Sequence, residues 1–200
     1  SVRVGDANTC QNLQKKIYTL TKKTDWNIPI TGTGPSAIPW AATGVLCYAA
    51  GGITTEDARP LVDALALAFG ETFGEGRVTL HPGVSYRHIL VIDDEDGALA
   101  RAKCTPPHSM LGRAVRDFLP EGSGAERLEE VMRLSEDVLA RLCAERSSAA
   151  ATGIWLWANG PRPDFPTLAG MLGRPHFRGA VISAVDLVRG IGRLTGMDVL

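Results

Sequence analysis

Arg77-Val-Thr-Leu-His-Pro-Gly-Val-Ser-Tyr-Arg-His-Ile-Leu-Val-Ile92 holds two β-branched, apolar runs, Arg77 to Leu80 and Tyr86 to Ile92, on either side of His81-Pro82-Gly83. Pro and Gly interrupt regular structure, so the pattern predicts two strands joined by a turn. Downstream, Asp93-Asp94-Glu95-Asp96-Gly97 reads as a second turn, with Ala98 to Lys103 returning as the next strand. Upstream, Thr54 opens a helix. Thr54, Thr55, Glu56 and Asp57 supply a cap and negative charge at the positive end of the helix dipole. Ala58, Leu61, Val62, Leu65 and Phe69 then form one apolar stripe, Pro60 sits in the tolerant first turns, and Gly70 is the expected stop.

The remaining elements follow by the same logic. Ser123-Gly-Ala-Glu126 matches a capping box, and the helix behind it runs to about Cys143 with Leu128, Met132, Ser135, Leu139 and Leu142 on one side. Ile154 to Trp157 is a short buried strand, followed by a loop rich in proline (Pro161, Pro163, Pro166). Arg178 to Ser183 reads as a strand and Val185 to Leu194 as a helix containing Gly190 and Gly192. This alternation predicts an α+β fold: a mixed or mostly antiparallel sheet with helices packed on one face. A short irregular N-terminal segment precedes it. Cys10 to Lys23 carries Leu13, Ile17 and Leu20 at the spacing of one short amphipathic helix, and four of the five lysines (Lys15, Lys16, Lys22, Lys23) fall there. Thr31 to Ser36 reads as turns, and Ser147 to Ala151 as a flexible join.

Composition bounds the function. The chain has 200 residues, 44% hydrophobic and 22% charged, which suits one ordinary domain or two very small ones and excludes general disorder. With 21 basic and 22 acidic side chains its net charge is −1, so it has no overall field to gather nucleic acid or anionic lipid. No apolar run approaches the roughly 20 residues that span a bilayer. Cys10, Cys47, Cys104 and Cys143 are scattered without a CxxC, which points to reduced thiols and a cytoplasmic setting. The opening Ser1 and the strand-like Gly196 to Leu200 lead us to expect that both ends are cut.

Several segments offer chemistry. Arg87 brings a planar fork of donors for phosphate or carboxylate, and His88 can also donate. As strand neighbours they point to opposite faces unless a bulge intervenes, and an arginine paired to a structural acid beside a hydrogen-bonded histidine is the plainer reading. Cys104-Thr-Pro-Pro-His108 combines thiol and imidazole, but a structural loop explains it as well. Gly160-Pro-Arg162-Pro163 is a rigid loop carrying one guanidinium at the end of a strand, a common place for ligand contacts. Trp155 and Trp157 read as core. At the junction Ser183 to Gly192, Ser183 or Asp186 is a candidate cap, exposed N–H groups favour an anion, and Asp186 with Arg189 has the spacing of a helical ion pair. Neither a dinucleotide fingerprint nor a Walker A lysine motif occurs, and no acid/base pair, triad or metal cluster can be assembled from spacing.

Five stretches, in this order and spacing, resemble one family. They are Ala49-Ala-Gly-Gly-Ile-Thr-Thr-Glu-Asp-Ala58, His81-Pro-Gly-Val-Ser-Tyr-Arg-His88, Cys104-Thr-Pro-Pro-His108, Ile154-Trp-Leu-Trp157 with Gly160 and Pro163, and Arg178-Gly-Ala-Val-Ile-Ser-Ala-Val-Asp-Leu-Val-Arg-Gly-Ile-Gly-Arg193. The family is the archaeal-type, cofactor-independent phosphoglycerate mutases of the alkaline-phosphatase superfamily. The resemblance spans roughly residues 31 to 200. It implies interconversion of 2- and 3-phosphoglycerate in glycolysis and gluconeogenesis, an isomerase acting by phosphoryl transfer through a serine at a site of divalent metal (manganese or magnesium), with no requirement for 2,3-bisphosphoglycerate.

On that resemblance residues 1–30 are of uncertain origin and 31–52 a shortened remnant leading to the phosphatase-like half. Residues 53–196 form the inserted substrate-binding domain, and 197–200 begin the return to the metal domain. The nucleophilic serine segment and the metal ligands are missing, so the chain is expected to be inactive alone, with no catalytic residue or metal ligand of its own. Ala158-Asn159-Gly160 stands where Gly-Gln-Gly is usual, and Arg189 where Lys is common. The resemblance implies a substrate site of Arg87, Arg162 and Arg189 for phosphate or carboxylate, His88 as a hydrogen-bond donor, and Asp186 orienting an arginine or a hydroxyl. The implied partner is phosphoglycerate rather than nucleic acid or membrane, with oligomerisation left open. Two alternatives stand beside it: a non-catalytic ligand or interaction module derived from the family, and a transferase acting on an amino-acid hydroxyl, which the absence of a nucleotide-phosphate loop disfavours.

Overall fold

The computed structural model describes residues 23–33, 46–47, 49–110, 113–145, 151–161 and 163–200. The helix expected over Cys10 to Lys23 (but for Lys23), Gly34 to Ser36, the join at Ser147 to Ala150, and Arg162 lie outside the described residues. The chain divides into two compact units, one ending at residue 162 and the second spanning Pro163–Leu200.

The first unit is built on an antiparallel sheet. Strand β1 (Lys23–Thr33) pairs with β2 (Leu46–Cys47), β4 (Arg87–Asp93), β5 (Gly153–Ile154) and β6 (Trp157–Pro161), and β3 (Val78–Pro82) pairs with β4 at the sheet's edge. The α+β expectation is met. Thr31 to Thr33, read as turn, belong instead to β1, where Thr31 opposes Gly153 and Thr33 opposes Leu46. Pro82, expected in the turn, lies within β3. An edge strand has one row of N–H groups free of the ladder, so a proline costs little there.

Helix α1 (Thr55–Phe73) has Thr54 as its cap, with Oγ accepting from the Asp57 N–H at 3.1 Å. The five stripe residues, Ala58 to Phe69, are the ones it buries. It continues past Gly70, the expected stop, because Phe73 still packs on Phe69 with ring centroids 6.2 Å apart. The helix ends at Gly74 with φ +95°, a conformation that suits glycine. Helix α2 (Ala125–Glu145) buries Leu128, Val131, Met132, Ser135, Val138 and Leu139. Its first internal bond runs from Leu128 N–H to the Gly124 carbonyl at 3.2 Å, so the cap is Gly124 rather than Ser123. These stripes pack on Val78, Leu80, Leu90 and Ile92 of β3 and β4, with Met110 and Leu156 completing the core.

Two departures have local causes. Ala98 to Lys103 is not a strand. The buried Asp94 carboxylate accepts from Leu99 N–H (3.0 Å) and Ala100 N–H (2.8 Å), and Asn159 Nδ2 donates to the carbonyls of Leu99, Ala100 and Ala102 at 3.0–3.1 Å. Side chains thereby take the backbone groups that a ladder would need. The strand expected at Ile154 to Trp157 is split into β5 and β6. Between the pairs Ile30–Ile154 and Asn27–Trp157 the facing strand holds Pro29, which has no N–H to give. Beyond Trp157 the register shifts by one residue and Ala158 takes φ +54°, a bulge that turns Asn159 toward the 99–102 carbonyls.

The second unit is a parallel βαβ piece. Strand β7 (Ala180–Val181), shorter than the expected Arg178 to Ser183, pairs in parallel with β8 (Asp198–Val199). Helix α4 (Asp186–Leu194) links them, after a single-turn helix α3 (Leu168–Met171). Gly192 of α4 is buried against Val181, where an added Cβ would meet the valine at 3.0 Å.

Candidate functional site

Arg87 opens β4. It is half-buried, its guanidinium lies 5.3 Å from the Tyr86 ring centroid, and its Nε is buried without a hydrogen-bond partner. Among the described residues no acidic group forms an ion pair with it. A buried cationic donor without a partner is costly, and an anion satisfies it.

His88 behaves differently. It is 3% exposed, and Nδ1 accepts from the Gly83 N–H at 3.1 Å, which leaves the proton on Nε2, itself buried and unpaired. Burial pushes its pKa down to about 4, so the ring is neutral at physiological pH. The β1–β4 and β3–β4 registers run without a bulge through this point, so Arg87 and His88 project to opposite faces, with His88 on the side of Leu90 and Ile92. The two are therefore not brought to one surface.

The loop before them is held by groups that sequence reasoning missed. Ser85 has φ +58°; its N–H donates to Thr55 Oγ at 3.0 Å and its Oγ donates to the Ile53 carbonyl at 2.5 Å. Arg87 N–H donates to the Val84 carbonyl at 3.1 Å. The turn signal at Pro82-Gly83 marked the place, but the partners lie 30 and 32 residues away, beyond any local pattern.

Burial pushes the Cys104 thiol up to about 12, which removes it as a nucleophile. His108 stacks edge-on to Trp157, centroids 5.5 Å apart at 74°, and Trp155 Nε1 donates to the Thr105 carbonyl at 2.9 Å. The Cys104–His108 stretch is a structural loop, and both tryptophans pack against the core. Trp157 Nε1, like Arg87 Nε, is buried and unpaired. His176 is exposed. In the second unit Asp186 is exposed at the start of α4 and Arg189 is half-buried one turn on; among the described residues no ion pair joins them. The cap of α4 is Val185, without a side-chain bond; Ser183 Oγ accepts instead from Val185 N–H at 3.0 Å. On α2, desolvation and the neighbouring Asp137 raise the Glu136 carboxyl to about 8 against the pull of Arg133. Among the described residues no three His, Cys, Asp or Glu side chains gather where they would hold a metal ion, so this part of the chain does not fit the divalent metal that the resemblance implies.

The first unit is therefore an α+β domain of antiparallel sheet and two long helices, with a half-buried arginine at the start of β4. The chain belongs to the 2,3-bisphosphoglycerate-independent phosphoglycerate mutase family, whose model matches residues 39–142. It is 36% identical over 160 residues to the mutase of Methanosarcina barkeri and 38% over 162 residues to a probable mutase of Geobacter sulfurreducens, covering 76% of this chain in each case. It spans only 37% of the length of those relatives. The fold matches a cofactor-independent phosphoglycerate mutase from Thermoplasma acidophilum with a TM-score of 0.52 at 17% identity, over 89% of this chain and 47% of that one. It also matches the PH0037 protein from Pyrococcus horikoshii with a TM-score of 0.53 at 16% identity, over 90% and 38%.

Proposed function

We propose that this chain is the substrate-holding portion of a phosphoglycerate mutase that interconverts 2- and 3-phosphoglycerate in the glycolytic direction and its reverse, in the cytoplasm. The observation that carries the reading is Arg87: a half-buried guanidinium with a buried, unpaired Nε and no acidic partner among the described residues, in a family named for a phosphorylated acid. Arg87 binds the phosphate or carboxylate, and Arg162, Arg189 and Asp186 are further contacts carried by the resemblance alone; His88, buried on the opposite face of β4, is not among them. In the whole enzyme a divalent metal, manganese or magnesium, would supply electrophilic activation of the phosphoryl group; the described residues of this chain do not hold it.

Isothermal titration of the 200-residue chain with 3-phosphoglycerate tests this. We expect weak but saturable binding, reduced at least about tenfold by Arg87→Ala, the loss expected for one charge-assisted bond. Mutase turnover by the chain alone is expected to be absent. Binding that is missing, or equal in the arginine variant, overturns the proposal.

A further inference from the structure

The loop from Gly83 to Arg87 is fixed more firmly than a surface turn requires. Ser85 holds a left-handed backbone, which costs a residue with a side chain about 1–2 kcal/mol. It is clamped there through both of its polar groups, N–H to Thr55 Oγ and Oγ to the Ile53 carbonyl. Thr55 is the first residue of α1, whose entry is set by the Thr54 cap, and Thr54 Oγ also donates to the Asp57 carboxylate at 2.9 Å. On the far side of the loop, Gly83 gives its N–H to His88 Nδ1, and a Cβ on Gly83 would collide with the Arg87 carbonyl oxygen. Two residues after Ser85 comes the guanidinium with the unpaired buried Nε. Strained residues persist where the surroundings over-determine them, and here what surrounds Ser85 is the base of the arginine.

We infer that Ser85 is a positioning residue: its two hydrogen bonds to the entry of α1 fix where the Arg87 guanidinium meets an anionic ligand. The inference rests on the reading of Arg87 as the anion anchor. Ser85 does not itself contact the ligand, because its hydroxyl proton is committed to Ile53 and its N–H to Thr55. Thr55 shares the role through its single acceptor oxygen.

The test compares ligand affinity with folding stability in the 200-residue chain. Binding of 3-phosphoglycerate is measured by titration calorimetry, and stability by urea denaturation, for Ser85→Ala, Ser85→Gly, Thr55→Val, Thr55→Ser and Arg87→Ala. Ser85→Gly is the discriminating variant, since glycine takes the left-handed backbone without strain and lacks the hydroxyl. It is expected to keep or gain stability relative to Ser85→Ala while binding about tenfold more weakly than the parent, the equivalent of one lost bond. Thr55→Val is expected to weaken binding similarly, and Thr55→Ser, which restores the acceptor, to bind like the parent. If Arg87→Ala weakens binding while both Ser85 variants bind like the parent, the positioning role is wrong and the anchor stands. If affinity simply follows stability through the series, the clamp is structural and the inference also falls. If Arg87→Ala binds like the parent, the anchor itself is wrong.

Discussion

His88 shows how much a single side chain can carry without touching solvent. Its neutral form is favoured in the fold because burial strips water from the imidazolium and because Nδ1 must accept from Gly83. With a folded pKa of about 4 against 6.5 for the free side chain, the unfolded chain binds the extra proton first. Stability is therefore fully present above pH 6.5 and falls as pH drops toward 4, by about 3 kcal/mol in all. Urea denaturation at pH 7 and pH 4.5 checks this. His88→Asn, which keeps an acceptor for Gly83 but does not titrate, is expected to flatten this dependence. An unchanged pH slope in the variant would assign it to other groups. Arg87, the residue before it, was identifiable from its type and neighbours. That no acidic group among the described residues pairs with it was not, because pairing is decided by segments far along the chain.

Among the elements, the β6 bulge does the most with the fewest residues. It lifts Asn159 so that one amide serves three carbonyls of a loop sixty residues upstream, and that loop is held as turns rather than as the strand its composition favoured. Asn159→Asp places an acceptor against three acceptors at nearly constant shape. It is expected to destabilise the first unit by about 2 kcal/mol or more, and beyond Asn159→Ala, which removes the donor only. The comparison of urea midpoints checks the order, and an aspartate variant as stable as the parent would contradict the role given to the amide. The contrast with α1 explains what sequence made legible. There the cap, the charge of the first turn and the stripe from Ala58 to Phe69 all act within a few residues, and each was readable. The stop moved from Gly70 to Gly74 because Phe73 still had a ring to pack on. The split at Pro29, the Asn159 contacts to the 99–102 carbonyls and the Ser85 clamp depend on distant partners, and none of these was readable.

At the scale of the molecule, the second unit keeps little of its apolar surface inside. Ile182 is 83% exposed, Leu200 71%, Met171 65% and Leu187 63%. Parallel strands in folded proteins are ordinarily covered on both faces, so a pair this bare is an adhesive surface. The chain is expected to bind a hydrophobic dye near neutral pH while fully folded. Replacing Ile182, Leu187 and Leu200 together by Lys is expected to cut that signal by about half with far-UV circular dichroism unchanged. A parent chain that leaves the dye dark would contradict the exposure. Strand β1 has a consequence of another kind. It recruits β4 at Lys23–Pro29 and β6 at Thr24–Asn27, so β1 is finished only by a strand synthesised more than a hundred residues after it. Closing such a loop is slow, and a growing chain must carry β1 with one edge unzipped until Pro161 has left the ribosome. The β1–β6 seam is therefore the long-range closure on which completion of the sheet waits.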